Sequence, residues 1–217
     1  QTVVGQSLSP GEPVRLPLWL KRRLPGYRPP PERWAHMEEP YTGDDVVVVD
    51  CETSEFDKKK GQLLSLAAVV VSGRSIELSS ALDLTVRSDA VTHPDAVRIH
   101  YLRKEDRKHG VATADAVQQF LDFVGNRPIC GFYIEYDRAI LNRYIRDLYG
   151  FELPNRFIEV SELYVRQKRR YIPEVNLDLT FEGLARDFDV PVIDRHTALG
   201  DVVSTALMFI KLQKGSS

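Results

Sequence analysis

The chain has 217 residues, 28% of them charged, and its 29 Lys and Arg against 31 Asp and Glu leave a net charge of -2. That length suits one α/β domain with a sizeable core, and the near-neutral balance excludes a generally basic nucleic-acid coat, so a polyanion would be held by local cationic patches or bound metal. Two cysteines, Cys51 and Cys130, are too few for a disulfide framework or a Cys-based zinc site, and no run approaches the roughly 18 apolar residues of a membrane span.

No charged-then-apolar segment opens the chain, so the expectation is a reduced, cytoplasmic protein with no membrane partner. Residues 1–40 hold most of the thirteen prolines, Pro29, Pro30 and Pro31 in a row, and keep no sustained period. They read as a proline-rich arm rather than a domain. Within it, LPLWLKRRL from Leu16 to Leu24 reads either as a short helix packed on the domain or as a contact for nucleic acid or a protein partner. Residues 41–213 read as the single domain.

That domain opens on Val46–Val49, four β-branched residues with no polar face, as in a central strand covered on both sides. Leu63–Ser72 and Ser75–Val86, joined by a Gly73-Arg74 turn, complete an antiparallel meander. His93–Tyr101 predicts a short helix after a proline. Thr113–Val124 predicts a firmer one, with Thr113 as N-cap and Ala116, Val117, Phe120, Leu121 and Val124 at helical spacing. Pro128–Tyr133 is a short buried strand, followed by a helix over Asp137–Tyr149 that Gly150 closes. Phe157–Val160 predicts a fifth strand running into a helix to about Arg170, and Leu179–Asp187 and Ala198–Leu212 predict two more helices. Strands first and then strand-helix alternation predict an α/β fold with a mixed five-stranded sheet and helices on both faces. Two basic groups interrupt the pattern, Lys58, Lys59 and Lys60, and Arg166, Lys168, Arg169 and Arg170; each reads equally as a solvated face or a polyanion contact.

The chemistry concentrates where the first strand ends. Side chains alternate along a strand, so Asp50 and Glu52 point the same way and Cys51 points away. Two carboxylates that close repel and raise one another's pKa unless a cation lies between them. Oxygen-only ligation favours a hard divalent ion, Mg²⁺ or Mn²⁺, over Zn²⁺. Asp137, placed at the opening of its helix after a strand, is positioned to face the same sheet edge, although capping alone would also explain it, and Glu135 is a competing acid. His196 stands five residues before Asp201, which begins an otherwise apolar helix. His93, His100 and His109 lack acidic or Cys partners at ligand spacing and read as structural or surface residues.

On these residues the chain, from about Asp45 to Leu212, resembles DnaQ-like 3'-to-5' exonucleases of the DEDDh group on the ribonuclease H-like fold. Asp50 and Glu52 in DCET match the family's D-x-E-T, Asp137 in EYDRAIL its second motif, and His196 and Asp201 its H-x4-D. Three motifs in order on suitable elements are far more specific than one. The second motif departs from the family's G-H-N-x-x-F-D, with Phe132 and Tyr133 in place of His and Asn, and Ile158, Glu159 and Val160 stand where an I-D-T is common. These changes bear on substrate fit rather than on metal ligands. The resemblance implies two metal ions, Mg²⁺ or Mn²⁺, held by Asp50, Glu52, Asp137 and Asp201, with Asp50 bridging, and His196 as general base. It implies hydrolysis of phosphodiester bonds at the 3' ends of single-stranded DNA or RNA, releasing nucleoside 5'-monophosphates by a two-metal mechanism. Thr53 and Phe56 are the candidate substrate contacts, Phe56 by stacking on the terminal base, although core packing explains it nearly as well. The alternatives are a catalytically inactive nucleic-acid or protein-binding module on the same fold, or a proofreading subunit of a DNA polymerase. Preference among DNA, RNA and short oligonucleotides depends on groove shape and on contacts to the 2'-hydroxyl, which motifs do not encode.

Overall fold

The computed structural model describes residues 20, 22–89, 107–170 and 176–214. The predicted helix over His93–Tyr101, with His93 and His100, and most of Leu16–Leu24 lie outside them. Five strands form one mixed sheet: β1 (Val46–Thr53), β2 (Leu63–Ser72), β3 (Ser75–Thr85), β4 (Ile129–Gly131) and β5 (Phe157–Glu159), in the order β3-β2-β1-β4-β5. β1 pairs antiparallel with β2 and parallel with β4, so it is central. Its four valines are all buried, each contributing roughly 1.5–3 kcal/mol relative to exposure. β3 and β5 are the two edges, and Ser75, Glu77, Ser79, Ser80 and Asp83 keep β3 solvated and unattractive to further pairing.

Helices cover both faces, as the pattern predicted. Val47, Val49 and Cys51 point into a core shared with α1 (Thr113–Val124) and α2 (Ile134–Tyr149). Val46 and Val48 point into a second core shared with α3 (Val160–Arg169), α4 (Phe181–Asp187) and α5 (Ala198–Lys214). Cys51 and Cys130 are buried free thiols. A 3-10 helix at Glu32–Glu38, inside the expected arm, sends Trp34 and Met37 into the first core, where Trp34 meets Tyr149 and Phe151. That part of the proline-rich stretch is therefore integral to the fold. Three aromatic or sulfur-bearing contacts outweigh the local lack of periodicity.

Several boundaries differ from expectation. Ala112, not Thr113, is the N-cap of α1. α4 starts at Phe181 rather than Leu179, because Thr180 accepts a hydrogen bond from the Gly183 N–H at 3.0 Å and fixes the cap there. β5 ends at Glu159, and Val160 already opens α3. Most consequentially, β4 is only three residues long and α2 begins at Ile134, so Asp137 is the helix's fourth residue rather than its first. The turn is that tight because residue 131 is glycine: a Cβ there would lie 2.6 Å from Ile134 Cδ1 and 3.1 Å from the Val49 carbonyl oxygen.

Candidate active site

The C-terminal ends of the parallel pair β1 and β4 lie together, the usual location for a ligand site in an α/β sheet. Asp50 and Glu52 leave β1 on the α5 side, and α5 brings Asp201 to meet them. One carboxylate oxygen from each of the three lies within 4.8 Å of the others. Asp137 is outside this tight group but adjoins it, accepting a hydrogen bond at 2.9 Å from the N–H of Cys51, the residue between the two strand acids. Glu135 points elsewhere, to an exposed ion pair with Arg138 at 3.0 Å. Helix phase separates the two acids: residue 137 faces inward, 3% exposed, and residue 135 outward.

Crowding acids this closely in a desolvated edge shifts their protonation. Asp50 is held well above the usual carboxylate range by burial first, then by Asp137, Glu52 and Asp201, with Arg195 opposing. Burial and the charges of Asp201 and Asp137 push Glu52 up to about 8, again against Arg195. Asp137 rises to about 7 through burial, despite the hydrogen bonds that favour its ionised form. Asp201 also rises by burial, offset by Arg195.

Arg195 is a member of the site that sequence reasoning missed. Its guanidinium donates to Asp201 Oδ2, donates to Glu182 at 3.0 Å and stacks 4.1 Å from the Phe181 ring centroid. Among the described residues, Arg195 is the cation that lies against the acidic group, and the buried Asp201 Oδ1 has no hydrogen-bond partner. Oxygen-only donors, mutual repulsion and one orphaned buried oxygen together fit a hard divalent ion. The signal for Arg195 was present in RHTALGD, directly before His196, but no spacing rule singles out an arginine.

His196 occupies the loop before α5 in a left-handed conformation, φ +68°, with its N–H 3.3 Å from Asp201 Oδ2. Burial and Arg195 lower its imidazole below the ordinary value of 6.5, so it is neutral and able to accept a proton near pH 7. Thr197 caps α5 by accepting from the Gly200 N–H at 3.1 Å. Gly200 lets the loop pass, since a Cβ there would lie 2.3 Å from the Ile193 carbonyl oxygen.

The two expected substrate contacts differ. Thr53 is buried, and its hydroxyl is committed to the Glu55 carbonyl at 2.9 Å and the Tyr136 hydroxyl at 2.6 Å, which fasten the loop after β1. Phe56 projects from that loop, 63% exposed, rather than packing in the core. Glu159, also unanticipated, ties the elements together by accepting from Ile134 N–H at 2.9 Å and from Ser161 N–H at 3.1 Å. His109 is exposed. Among the described residues, no helix is long and apolar enough to cross a membrane.

Comparison with known proteins identifies the family and the fold. The profile of a family described as Exonuclease matches residues 47–209, from β1 into α5. The chain is 26% identical over 176 residues to DNA polymerase III subunit epsilon of Aquifex aeolicus, covering 76% of this chain and 79% of that one. It is 31% identical over 174 residues to an oligoribonuclease of Paracidovorax citrulli, covering 72% and 81%. Exonuclease X in complex with 5' overhanging duplex DNA superposes with a TM-score of 0.62 at 21% identity, over 79% of this chain and 92% of that one. E. coli Exonuclease I in complex with a dT13 oligonucleotide superposes with a TM-score of 0.69 at 13% identity, over 79% of this chain but only 41% of that one. The chain therefore spans about two fifths of the Exonuclease I polypeptide, and at these identities the two structures speak to the shared ribonuclease H-like fold.

Proposed function

The chain belongs to the DnaQ-like exonuclease family and is a nuclease; from that premise we propose that it is a metal-dependent 3'-to-5' exonuclease acting on single-stranded nucleic acid or short oligonucleotides. The observation that carries this reading is the convergence of Asp50, Glu52 and Asp201 within 4.8 Å, with Asp137 adjoining and Asp201 Oδ1 without a partner among the described residues. Asp50, Glu52 and Asp201 would hold one divalent ion, and Asp50 with Asp137 a second. When bound, Mg²⁺ or Mn²⁺ supplies positive charge where the attacking and leaving oxygens become negative.

The remaining work belongs to side chains. His196 takes a proton from the attacking water on an imidazole nitrogen, and its lowered pKa keeps that nitrogen free at neutral pH. The new P–O bond forms as the P–O3' bond breaks, so the shortened strand keeps a 3'-hydroxyl, protonated from solvent, and the released nucleotide keeps its 5'-phosphate. Phe56, exposed beside the first motif, stacks on the terminal base, and the sequence tolerance of such stacking suits an enzyme that removes any nucleotide.

The test is a panel of 5'-labelled single-stranded DNA, RNA and dinucleotides with Mg²⁺ or Mn²⁺, resolved by product length. A ladder shortening from the 3' end, abolished by EDTA, is expected. Binding without shortening under every metal condition would instead make the domain a non-catalytic module, with Arg195 a permanent partner of Asp201.

A further inference from the structure

α3 presents two faces of opposite electrostatic character. On one, Lys168 is paired with Asp187 at 2.5 Å and lies over the Tyr164 ring, so its charge is used within the fold. On the other, Arg166, Arg169 and Arg170 are exposed and form no ion pair or hydrogen bond among the described residues. These three line a cleft of about 550 Å³ whose apolar floor includes Val165 and Leu179, the latter 41% exposed. The cleft also contains Glu162, so its described lining carries three guanidiniums and one carboxylate, or +2, in a chain whose net charge is -2. Helix-dipole compensation would account for cations in the last turn, but not for an unpaired arginine triad beside an exposed leucine.

The cleft begins near the acidic edge. Ser161 at its near end bonds through both N–H and hydroxyl to Glu159, whose other oxygen accepts from the Ile134 N–H at the start of the helix bearing Asp137. From Ser161 to Arg170 the helix advances about 14 Å, the length of about four stacked nucleotides at 3.4 Å each. We propose that this α3 cleft binds the sugar-phosphate backbone of a single-stranded nucleic acid on the 5' side of the cleaved end. The arginines take phosphates, for which a fork of guanidinium donors is suited, and Val165 and Leu179 cover the sugars and bases. The inference rests on the exonuclease reading, and it makes long strands, but not dinucleotides, dependent on α3.

The experiment compares the parent protein with the triple variant Arg166→Glu, Arg169→Glu, Arg170→Glu, and with the milder triple Gln variant, each checked for an unchanged melting temperature. Steady-state cleavage of a dinucleotide and of a single-stranded dodecamer is measured with Mn²⁺, and dodecamer binding to the Asp50→Asn background is followed by fluorescence anisotropy across salt concentrations. Expected are dinucleotide rates within about twofold of the parent, a dodecamer KM raised roughly tenfold or more, and a log-log salt slope smaller by about 2 for three lost phosphate contacts. Equal losses on both substrates, an unaffected dodecamer KM, or an unchanged salt slope would overturn the proposal. Should the parent cleave neither substrate, the exonuclease reading fails, while the anisotropy measurement still decides the cleft.

Discussion

α2 and α5 deliver their acids from opposite faces of the sheet, yet Asp137 and Asp201 are each the fourth residue of their helix. Their environments differ. Asp137 is anchored by backbone, through the Cys51 N–H at 2.9 Å, and so is built into the fold. Asp201 is held through Oδ2 by the Arg195 side chain as well as by the His196 N–H at 3.3 Å, and its Oδ1 has no partner among the described residues. Equal helical position therefore produces one acid bonded to the main chain of β1 and one that shares an oxygen with a cation. A metal ion that enters at Asp201 is expected to displace the Arg195 cation beside it.

The largest expected effect tests that contrast directly. Asp201→Asn should lower kcat by roughly 10³-fold or more, since a lost metal site forfeits several kcal/mol of charge stabilisation, and should abolish Mn²⁺ binding seen by calorimetry. Asp137→Asn keeps an acceptor for Cys51 N–H, so it should leave the fold intact and retain Mn²⁺ binding at the Asp50, Glu52 and Asp201 group. Equal loss of that binding in both variants would remove the distinction.

A second effect is pH dependence without metal. Glu52 titrates at about 8 in the folded protein against an ordinary 4.5, and Asp137 at about 7 against 3.8. The folded state therefore holds protons that the unfolded chain has released. The stabilisation this gives is complete below the ordinary values and is lost as pH rises through about 7 and 8, with a slope of up to about 1.4 kcal/mol per pH unit for each proton. Melting temperature in EDTA should fall across that window, Glu52→Gln should flatten the fall, and Mn²⁺ should reverse it with release of protons. A flat metal-free profile would contradict the crowding of the acids.

The smallest effect concerns the resident cation. Arg195→Gln should destabilise the metal-free protein by about 2 kcal/mol at pH 8, because Asp201 loses a charged hydrogen bond. The difference should shrink when Mn²⁺ saturates the site. A difference that persists with metal would make Arg195 a fixed strut rather than a displaceable partner.

Much of this architecture was legible in order of chain. Alternation in β1 already put Asp50 and Glu52 on one side and Cys51 on the other, and the helical stripe of α1 matched its buried face, whereas in α2 the expected stripe of Ile140, Leu141, Tyr144, Ile145 and Leu148 ends on an exposed Leu148. Gly150 indeed closes α2, with φ +79° and its N–H on Arg146 O at 2.9 Å. Boundaries were less legible. The apolar run PICGFY looks like a strand throughout, but Phe132 leaves the sheet to meet Phe181, 5.2 Å between ring centroids, and Tyr133 turns into α2 in the left-handed region. Trp34 and Met37 were similarly hidden in a proline-rich setting, because what fixes them is a core more than a hundred residues away in sequence at Tyr149 and Phe151.

By itself, the amino-acid sequence determined the periodicities and the strand-helix order, because those depend on local spacing along one element or loop, and its resemblance to the family's motifs singled out Asp50, Glu52, Asp137, His196 and Asp201 as candidates. Only the tertiary structure decided that three carboxylates share a space within 4.8 Å, that Arg195 is the cation beside them, and that Arg166, Arg169 and Arg170 border a cleft while Lys168 is neutralised. The reason is physical. Charge and desolvation act through space, and groups separated by as many as 151 positions, as Asp50 and Asp201 are, acquire their protonation and their partners only when the sheet brings their elements to one edge.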